Sequence, residues 1–471
     1  MAVYIFMLIG AVVIGIPLCG EKYIRAGKII YCLLTAIAFI IISSIRFNVG
    51  YDYNMYGSMY INMQYREIED LLGEKMEKGF LLPLYVLGLG FENYVTLFIY
   101  TSIIIYSSVF FLIYKNSSCP WISVVAYLCF GLFFNSLCFL RQVIAATIVL
   151  YGMKFIDRKN PLKFFILVVA ASAFHWSVLI MLLMFFLLKI RPGYIYLGVI
   201  AAGTTFFCIF SKKLMVWATN HFSMYSIYDL ETNANASMGL SIRYTVMFGI
   251  LFVICFIFRG KLIKKNPSNS IYINCLMYAV VFEALGTRHA VLSRFTIVVY
   301  MAPVLYMLPD LVLVIKEFIV EKFSERKALS MTVKISSAAA SILFSAGCYV
   351  ILMLNNYNGV VPYISQFNIP YDISEEQIID NEDGDDEDED DPPDLLEDDN
   401  NESEDSSTDL VENDDNESED VYPDLIEDDD NEGEDDSPGW SEDEEDEDEK
   451  DYPDWFEDEG YWPENGEEIE I

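Results

Sequence analysis

The sequence predicts an all-α polytopic membrane body of about 10–12 transmembrane helices, followed by a disordered acidic C-terminal tail. Three observations lead there. Of 471 residues 54% are hydrophobic, yet the formal charge is −39, a pairing that fits no single globular class. The charge is segregated: residues 371–471 hold 53 of the 69 acids and one base, Lys450, whereas the first 370 residues carry 29 bases and 16 acids, a net of +13. The front part is also a succession of apolar runs, many near the roughly 20 residues that a span requires. The expected division is a membrane body over 1–368 and a tail over 369–471. Lipid offers the backbone no hydrogen-bond partner, so the spans are helices.

The apolar runs are 3–19, 29–45, 94–114, 121–138, 142–156, 194–210, 242–258, 271–286, 295–308 and 332–354. The first has no basic segment before it and more spans after it, so it reads as part of the body rather than as a cleavable leader. One further run, Leu162 to Leu188, is 27 residues long and is interrupted by "FHWS". As a single helix it would rise about 40 Å against a hydrocarbon core of about 30 Å. The basic loops decide its form. "EKYIRAGK" (21–28), "KFIDRKNPLK" (154–163), "RGKLIKK" (259–265) and "KEFIVEKFSERK" (316–327) all face the cytoplasm only if this run is two short helices turning near His175. Both chain ends then lie outside. Two long outer segments remain, Arg46 to about Tyr94 and Ser211 to Ser241. The nine cysteines are scattered singly without a CxxC pair, which predicts small buried side chains and neither disulfides nor a metal site.

Outer boundaries should be poor in bases, yet five arginines mark them: Arg46, Arg141, Arg243, Arg288 and Arg294. Each alone reads equally as a snorkelling anchor. Together, as planar and permanently charged forks, they suit a membrane-bound pyrophosphate. His175, in "ASAFHWSVL", and Asp52, in "VGYDYNMY", are ionisable groups at apolar boundaries and candidates for proton transfer. The tyrosines and asparagines around Asp52 fit either an interfacial belt or sugar binding. His289 and His221 carry weaker cases.

Three stretches bear a family resemblance: "RFNVGYDYNMY" from Arg46, "LRQVIAATIVLYGMKFI" with the later "KFFILVVAASAFHWSVLIML", and "NNYNGVVPYISQF". Over roughly residues 1–368 the chain resembles the EpsG family of exopolysaccharide polymerases, relatives of the Wzy-type O-antigen polymerases. The "RQ…A" helix and the "FH.S" turn are the most specific part, and the tail lies outside the pattern. The resemblance points to Arg46, Gly50, Asp52 and Tyr56, to Arg141, Gln142 and Ala145, to His175 and Ser177, and to Pro362 and Tyr363.

The resemblance implies a GT-C-like polymerase body in a bacterial cytoplasmic membrane. It would join lipid-linked oligosaccharide repeat units at the outer face, with undecaprenyl pyrophosphate leaving. On this reading His175 or Asp52 takes the proton. Arg46, Arg141, Gln142, Arg288, Arg294 and Tyr56 bind substrate and pyrophosphate. No metal ion or other cofactor is expected. The expected partners are the lipid-linked oligosaccharide, the bilayer and other exopolysaccharide assembly proteins; nucleic acid is not among them. Two other functions share these features: a flippase for the lipid-linked oligosaccharide, and a glycosyltransferase that uses a lipid-monophosphate donor. The unusual arginines lie at one face only, which favours surface chemistry over transport.

The tail repeats. "PDLLEDDNNESED" starts at Pro393, "DLVENDDNESED" at Asp409, "PDLIEDDDNEGED" at Pro423 and a degenerate "PDWFEDEG" at Pro453. Like charge at this density predicts disorder. The exposed apolar pair in each unit fits a motif for a basic partner, the carboxylates fit weak binding of divalent cations, and a plain solvating tail fits both. The EF-hand glycine is missing.

Overall fold

A computed structural model describes residues 1–19, 25–157, 160–221, 234–322 and 345–368. The acidic tail and the middle of the second outer segment lie outside the described residues. The described part is helical, and its one β-type pairing is an isolated antiparallel bridge between Arg46 and Ser365. The helices are α1 (Ala2–Leu18), α2 (Ala26–Ser44), α3 (Tyr53–Asn62), α4 (Ile68–Gly73), α5 (Lys78–Gly88), α6 (Val95–Asn116), α7 (Pro120–Cys129), α8 (Leu132–Cys138), α9 (Leu140–Asp157), α10 (Pro161–Ser172), α11 (Ile180–Leu188), α12 (Tyr194–His221), α13 (Ala234–Ile257), α14 (Arg259–Lys265), α15 (Asn269–Gly286), α16 (Ala290–Ser293), α17 (Thr296–Ala302), α18 (Leu308–Lys322) and α19 (Ser345–Leu354).

Four helices are long and apolar enough to cross a membrane: α2, α6, the Tyr194–Ser211 part of α12, and a continuous Val291–Lys322 helix. The last runs from α16 to α18 through a π-helical turn at Pro303–Met307. α7 with α8 and α13 with α14 are two apolar pairs bent by 59° and 74°, the form of a broken span or a re-entrant loop. Of the expected ten to twelve segments, α1, α10, Trp176–Leu188 and α19 (the described part of the 332–354 run) are shorter apolar helices, and α5 is another, inside the first outer segment. The Leu162–Leu188 run divides as expected. α10 ends at Ser172, and a 3-10 turn at Trp176–Leu179 leads into α11.

Local chemistry sets these boundaries. Pro120 and Pro161 open α7 and α10, where a missing N–H costs nothing. Gly131 separates α7 from α8 at φ 76°, and a Cβ there would lie 2.7 Å from the Tyr244 hydroxyl. The Val291–Lys322 helix is 89% buried and forms the centre, whereas the α12 span is 6% buried and lies at the edge. Large apolar side chains such as Phe6, Phe186 and Ile195 face outward, as a lipid-facing surface requires. Inside, Phe39 meets Phe110 and Phe133 edge-on at 5.0 Å each, and Tyr4 meets Phe134 at 5.2 Å. All nine cysteines are free, six of them buried.

Arg46 has no exposed surface. Its Nη1 donates to the Ser43 carbonyl at 2.6 Å and to Ser43 Oγ at 2.8 Å, and its Nη2 donates to the Leu137 carbonyl at 3.0 Å. The guanidinium lies 4.5 Å from the centre of the Phe98 ring. No carboxylate among the described residues pairs with it. Arg46, expected to bind pyrophosphate, is thus buried with Nη1 and Nη2 on protein acceptors, while its Nε has no hydrogen-bond partner among the described residues.

The first and last motifs lie side by side. Phe47 N–H donates to Ile364 O at 3.0 Å and Gln366 N–H to Ile45 O at 2.9 Å; Gly50 N–H donates to Gly359 O and Tyr51 N–H to Asn358 O, both at 3.1 Å. Gly50 sits at φ 105°, and a Cβ there would lie 3.1 Å from the Leu137 carbonyl that Arg46 also contacts. Gly50→Ala is therefore expected to cost about 1–3 kcal/mol through backbone strain, read as a lower unfolding midpoint of the detergent-solubilised protein. Gly10→Ala, with open space around the position, should leave the midpoint unchanged or raise it; equal effects at the two positions would refute the account of Gly50.

Candidate active site

The segment between α2 and α6 carries α3, α4 and α5, and it places Glu77 immediately before α5. A glycine makes that placement possible. Gly79 N–H donates to the Ala173 carbonyl at 2.8 Å, and a Cβ on Gly79 would lie 2.5 Å from the same oxygen. Only glycine lets the start of α5 meet the end of α10 this closely. Lys78 strengthens the corner by donating to the carbonyls of Leu71 and Glu74.

Glu77 thereby reaches the "FHWS" turn. Its Oε1 lies 2.8 Å from His175 Nδ1 and accepts the Trp176 N–H at 3.2 Å. Its Oε2 accepts from Arg141 Nη1 at 2.6 Å. One carboxylate therefore joins the arginine that opens α9 to the histidine that follows α10. Glu77 is 12% exposed and Arg141 22%. Burial works against the Glu77 carboxylate. The hydrogen bond from His175, the Arg141 charge and its own backbone N–H nonetheless hold it at about 2, below the ordinary 4.5.

The neighbouring residues converge on the same place. The Tyr56 hydroxyl, on α3, accepts from Arg141 Nε at 3.4 Å. Gln142 Nε2 reaches Ser177 Oγ at 3.4 Å and donates to the Arg294 carbonyl. The adjacent Arg141 and Gln142 thus both face the histidine turn. Asp52 stands just before α3. Burial pushes its carboxyl up, opposed by a hydrogen bond with Cys138 and by the charges of Arg294 and Arg141.

Asp52, Tyr56, Arg141, Gln142, His175, Ser177 and Arg294 are therefore brought together. The Arg294 side chain is exposed. Arg288 is exposed in the turn after α15, His289 is half-buried beside it, and Arg243 donates to Asn355 Oδ1. Ala145 is buried within α9, and Tyr363 donates to the Ile42 carbonyl at 2.7 Å. The side chain of His221 lies outside those described. Among the described residues no group of three His, Cys, Asp or Glu side chains is placed to hold a metal ion.

Sequence reasoning missed Glu77. It stands among three other charged residues in "GEKMEKG", 64 residues from Arg141 and 98 from His175. The available signal was an acid directly before an apolar helix with glycine two positions on.

These features define a multi-pass helical membrane protein whose polar site is assembled from helix ends. The family model of the EpsG family matches residues 29–365, and the chain belongs to that family. Membership suggests a function of the exopolysaccharide polymerase type. No curated protein and no solved structure significantly matches the chain.

The depressed Glu77 carboxyl has a definite sign. Its stabilising contribution is fully present above the ordinary value of 4.5 and is lost as the pH falls toward about 2. Glu77→Gln should cost roughly 1.5–3 kcal/mol near neutral pH. In thermal unfolding of the purified protein, the gap between wild type and variant should narrow as the pH drops below 4.5. A gap independent of pH would show that the charge of Glu77 contributes nothing.

Proposed function

We propose that the protein polymerises lipid-linked oligosaccharide repeat units at the outer face of the bacterial cytoplasmic membrane, by glycosyl transfer with undecaprenyl pyrophosphate as leaving group. The observation that carries this reading is the Glu77 carboxylate between Arg141 and His175. A carboxylate on Nδ1 fixes the imidazole with its proton there and leaves the Nε2 lone pair free to act as a base.

In the proposed step a hydroxyl of the incoming unit attacks the anomeric carbon of the growing glycan. The new carbon–oxygen bond forms as the bond from that carbon to the pyrophosphate oxygen breaks. The hydroxyl proton passes to His175 Nε2, and Glu77 stabilises the resulting imidazolium. The electron pair of the broken bond stays on the lipid pyrophosphate. Arg141, through donors not used on Glu77, and the exposed Arg294 and Arg288 are assigned to that developing charge. Tyr56 and Gln142 hold Arg141 and the Arg294 backbone in place, and Asp52 is assigned to a sugar hydroxyl.

The same helices support the outward orientation. Lys28 and Arg46 bracket α2, Arg141 and Lys154 lie at opposite ends of α9, and Lys163 and His175 at opposite ends of α10. Arg243 and Arg259 bracket the Ser241–Ile257 span. Away from the site, Lys261 pairs with Glu321 at 3.0 Å and Lys265 with Glu317 at 2.9 Å, joining α14 to α18. The lysine-rich ends face the cytoplasm by the charge rule, which leaves the His175 end outside.

The test is made in the producing cell with His175→Ala and Arg141→Ala proteins inserted at wild-type levels. Glycolipids are extracted and the glycan on the lipid pyrophosphate is sized. Single repeat units on the outer leaflet, with long chains reduced at least 100-fold, are expected for His175→Ala from loss of the base. Arg141→Ala should show the same species. Units held on the inner leaflet would establish a flippase instead, and an unchanged ladder would remove both residues from the chemistry.

A further inference from the structure

Beyond the Gln142–Arg294 contact lies a cavity of about 170 Å³ that Arg294 also lines and whose other lining groups the proposed step does not use. Its walls come from α8, α13, α15, α17 and the Tyr357–Gly359 turn. It holds a second carboxylate, Glu283, which is 6% exposed and makes no ion pair among the described residues. The Ser241 and Thr296 hydroxyls and the Tyr244 hydroxyl line the same space, and the Tyr244 hydroxyl is buried without a hydrogen-bond partner.

The geometry of the walls is held from behind. Asn135 donates to the Tyr300 hydroxyl at 2.8 Å and accepts from the Tyr357 hydroxyl at 2.6 Å and from Asn358 Nδ2 at 2.9 Å. These bonds use both ends of its amide, so Asn135 orients the two tyrosines and Asn358. The charged form of a carboxyl buried without an ion pair is costly, and an ionisable group kept in such a place is a functional candidate. A carboxylate with hydroxyls between aromatic faces is the chemistry that binds a sugar ring: the faces pack on C–H surfaces and the polar groups meet vicinal hydroxyls.

We infer that this cavity binds the non-reducing terminal sugar of the acceptor repeat unit, with Glu283 accepting hydrogen bonds from its hydroxyls. The inference rests on the proposed polymerase function. The lining selects this part of the substrate: hydroxyls, an amide and aromatic rings suit a sugar ring better than a pyrophosphate, and the terminal sugar is the portion of a repeat unit farthest from its own pyrophosphate. Arg294 lines the cavity and its carbonyl accepts from Gln142, which also reaches Ser177 in the histidine turn, so the cavity adjoins the candidate site.

The probe is the repeat-unit oligosaccharide freed of its lipid pyrophosphate, taken from the single units that accumulate in the His175→Ala strain, or from wild-type glycolipid if none accumulate. Without a leaving group it can act only as acceptor. Its binding to the full-length protein in lipid nanodiscs is measured by calorimetry. Wild type and His175→Ala should bind it alike, Glu283→Gln at least tenfold more weakly, and Thr296→Val severalfold more weakly. Thr296→Val, which conserves side-chain shape, carries the test if Glu283→Gln does not fold. Wild-type affinity in both cavity variants, or no binding to wild type, would overturn the inference while leaving the polymerase reading intact. Long glycan chains in the His175→Ala strain would instead overturn the polymerase reading itself.

Discussion

Wherever a helix stops inside an apolar body, it leaves amide and carbonyl groups that lipid cannot satisfy. The polar side chains of this protein are concentrated on those groups. Arg46 takes the carbonyl of Ser43 near the end of α2 and that of Leu137 at the end of α8. Asn274 takes the carbonyls of Leu188 and Ile190 where α11 ends, at 3.0 and 2.6 Å. Glu77 takes the Trp176 N–H where the chain turns between α10 and α11. Each bond lets a helix end at depth, and each therefore draws a polar or charged residue to the break. The candidate site is the place where several such breaks meet.

That origin explains why the site is both rigid and charged. Glu77 caps the turn with one oxygen and holds Arg141 with the other, so the group that completes the backbone also fixes the histidine. In a partly buried setting these charge-assisted bonds are stronger than they would be in water. Around them the first motif and the last are bonded to each other through four backbone hydrogen bonds. The segment 358–366 is thereby part of the same wall as residues 45–51.

The membrane body, the two-helix division of Leu162–Leu188, and the grouping of Arg141, Gln142 and His175 were all legible from residues. The first two follow from apolar run length and the distribution of lysine and arginine, which are properties of sequence alone. The grouping came with the family resemblance. Glu77 was not legible, because nothing local distinguishes it from the other acids of its segment; its partners are 64 and 98 residues away. Glu283 was hidden in the opposite manner, as one acid within an otherwise apolar helix whose cavity is formed by four other segments. Arg46 was read as a ligand-binding cation because its sequence position suits a boundary, whereas its burial depends on Phe98 and Leu137.

By itself the sequence determined that this chain lives in a membrane, that its long apolar runs are helix, and which end of each such run carries the lysines, but not the helices α3 and α4 of the first outer segment. Those properties follow from the transfer of single side chains and of backbone between water and lipid, and that free energy is set residue by residue. Tertiary structure decided which ionisable groups meet. It turned Arg46 inward onto carbonyls, brought Glu77 between Arg141 and His175, and left Glu283 in a polar cavity without an ion pair among the described residues. Hydrogen bonds and ion pairs act over a few ångströms, so they depend on where distant segments are packed, and packing is not written in any one stretch of the chain.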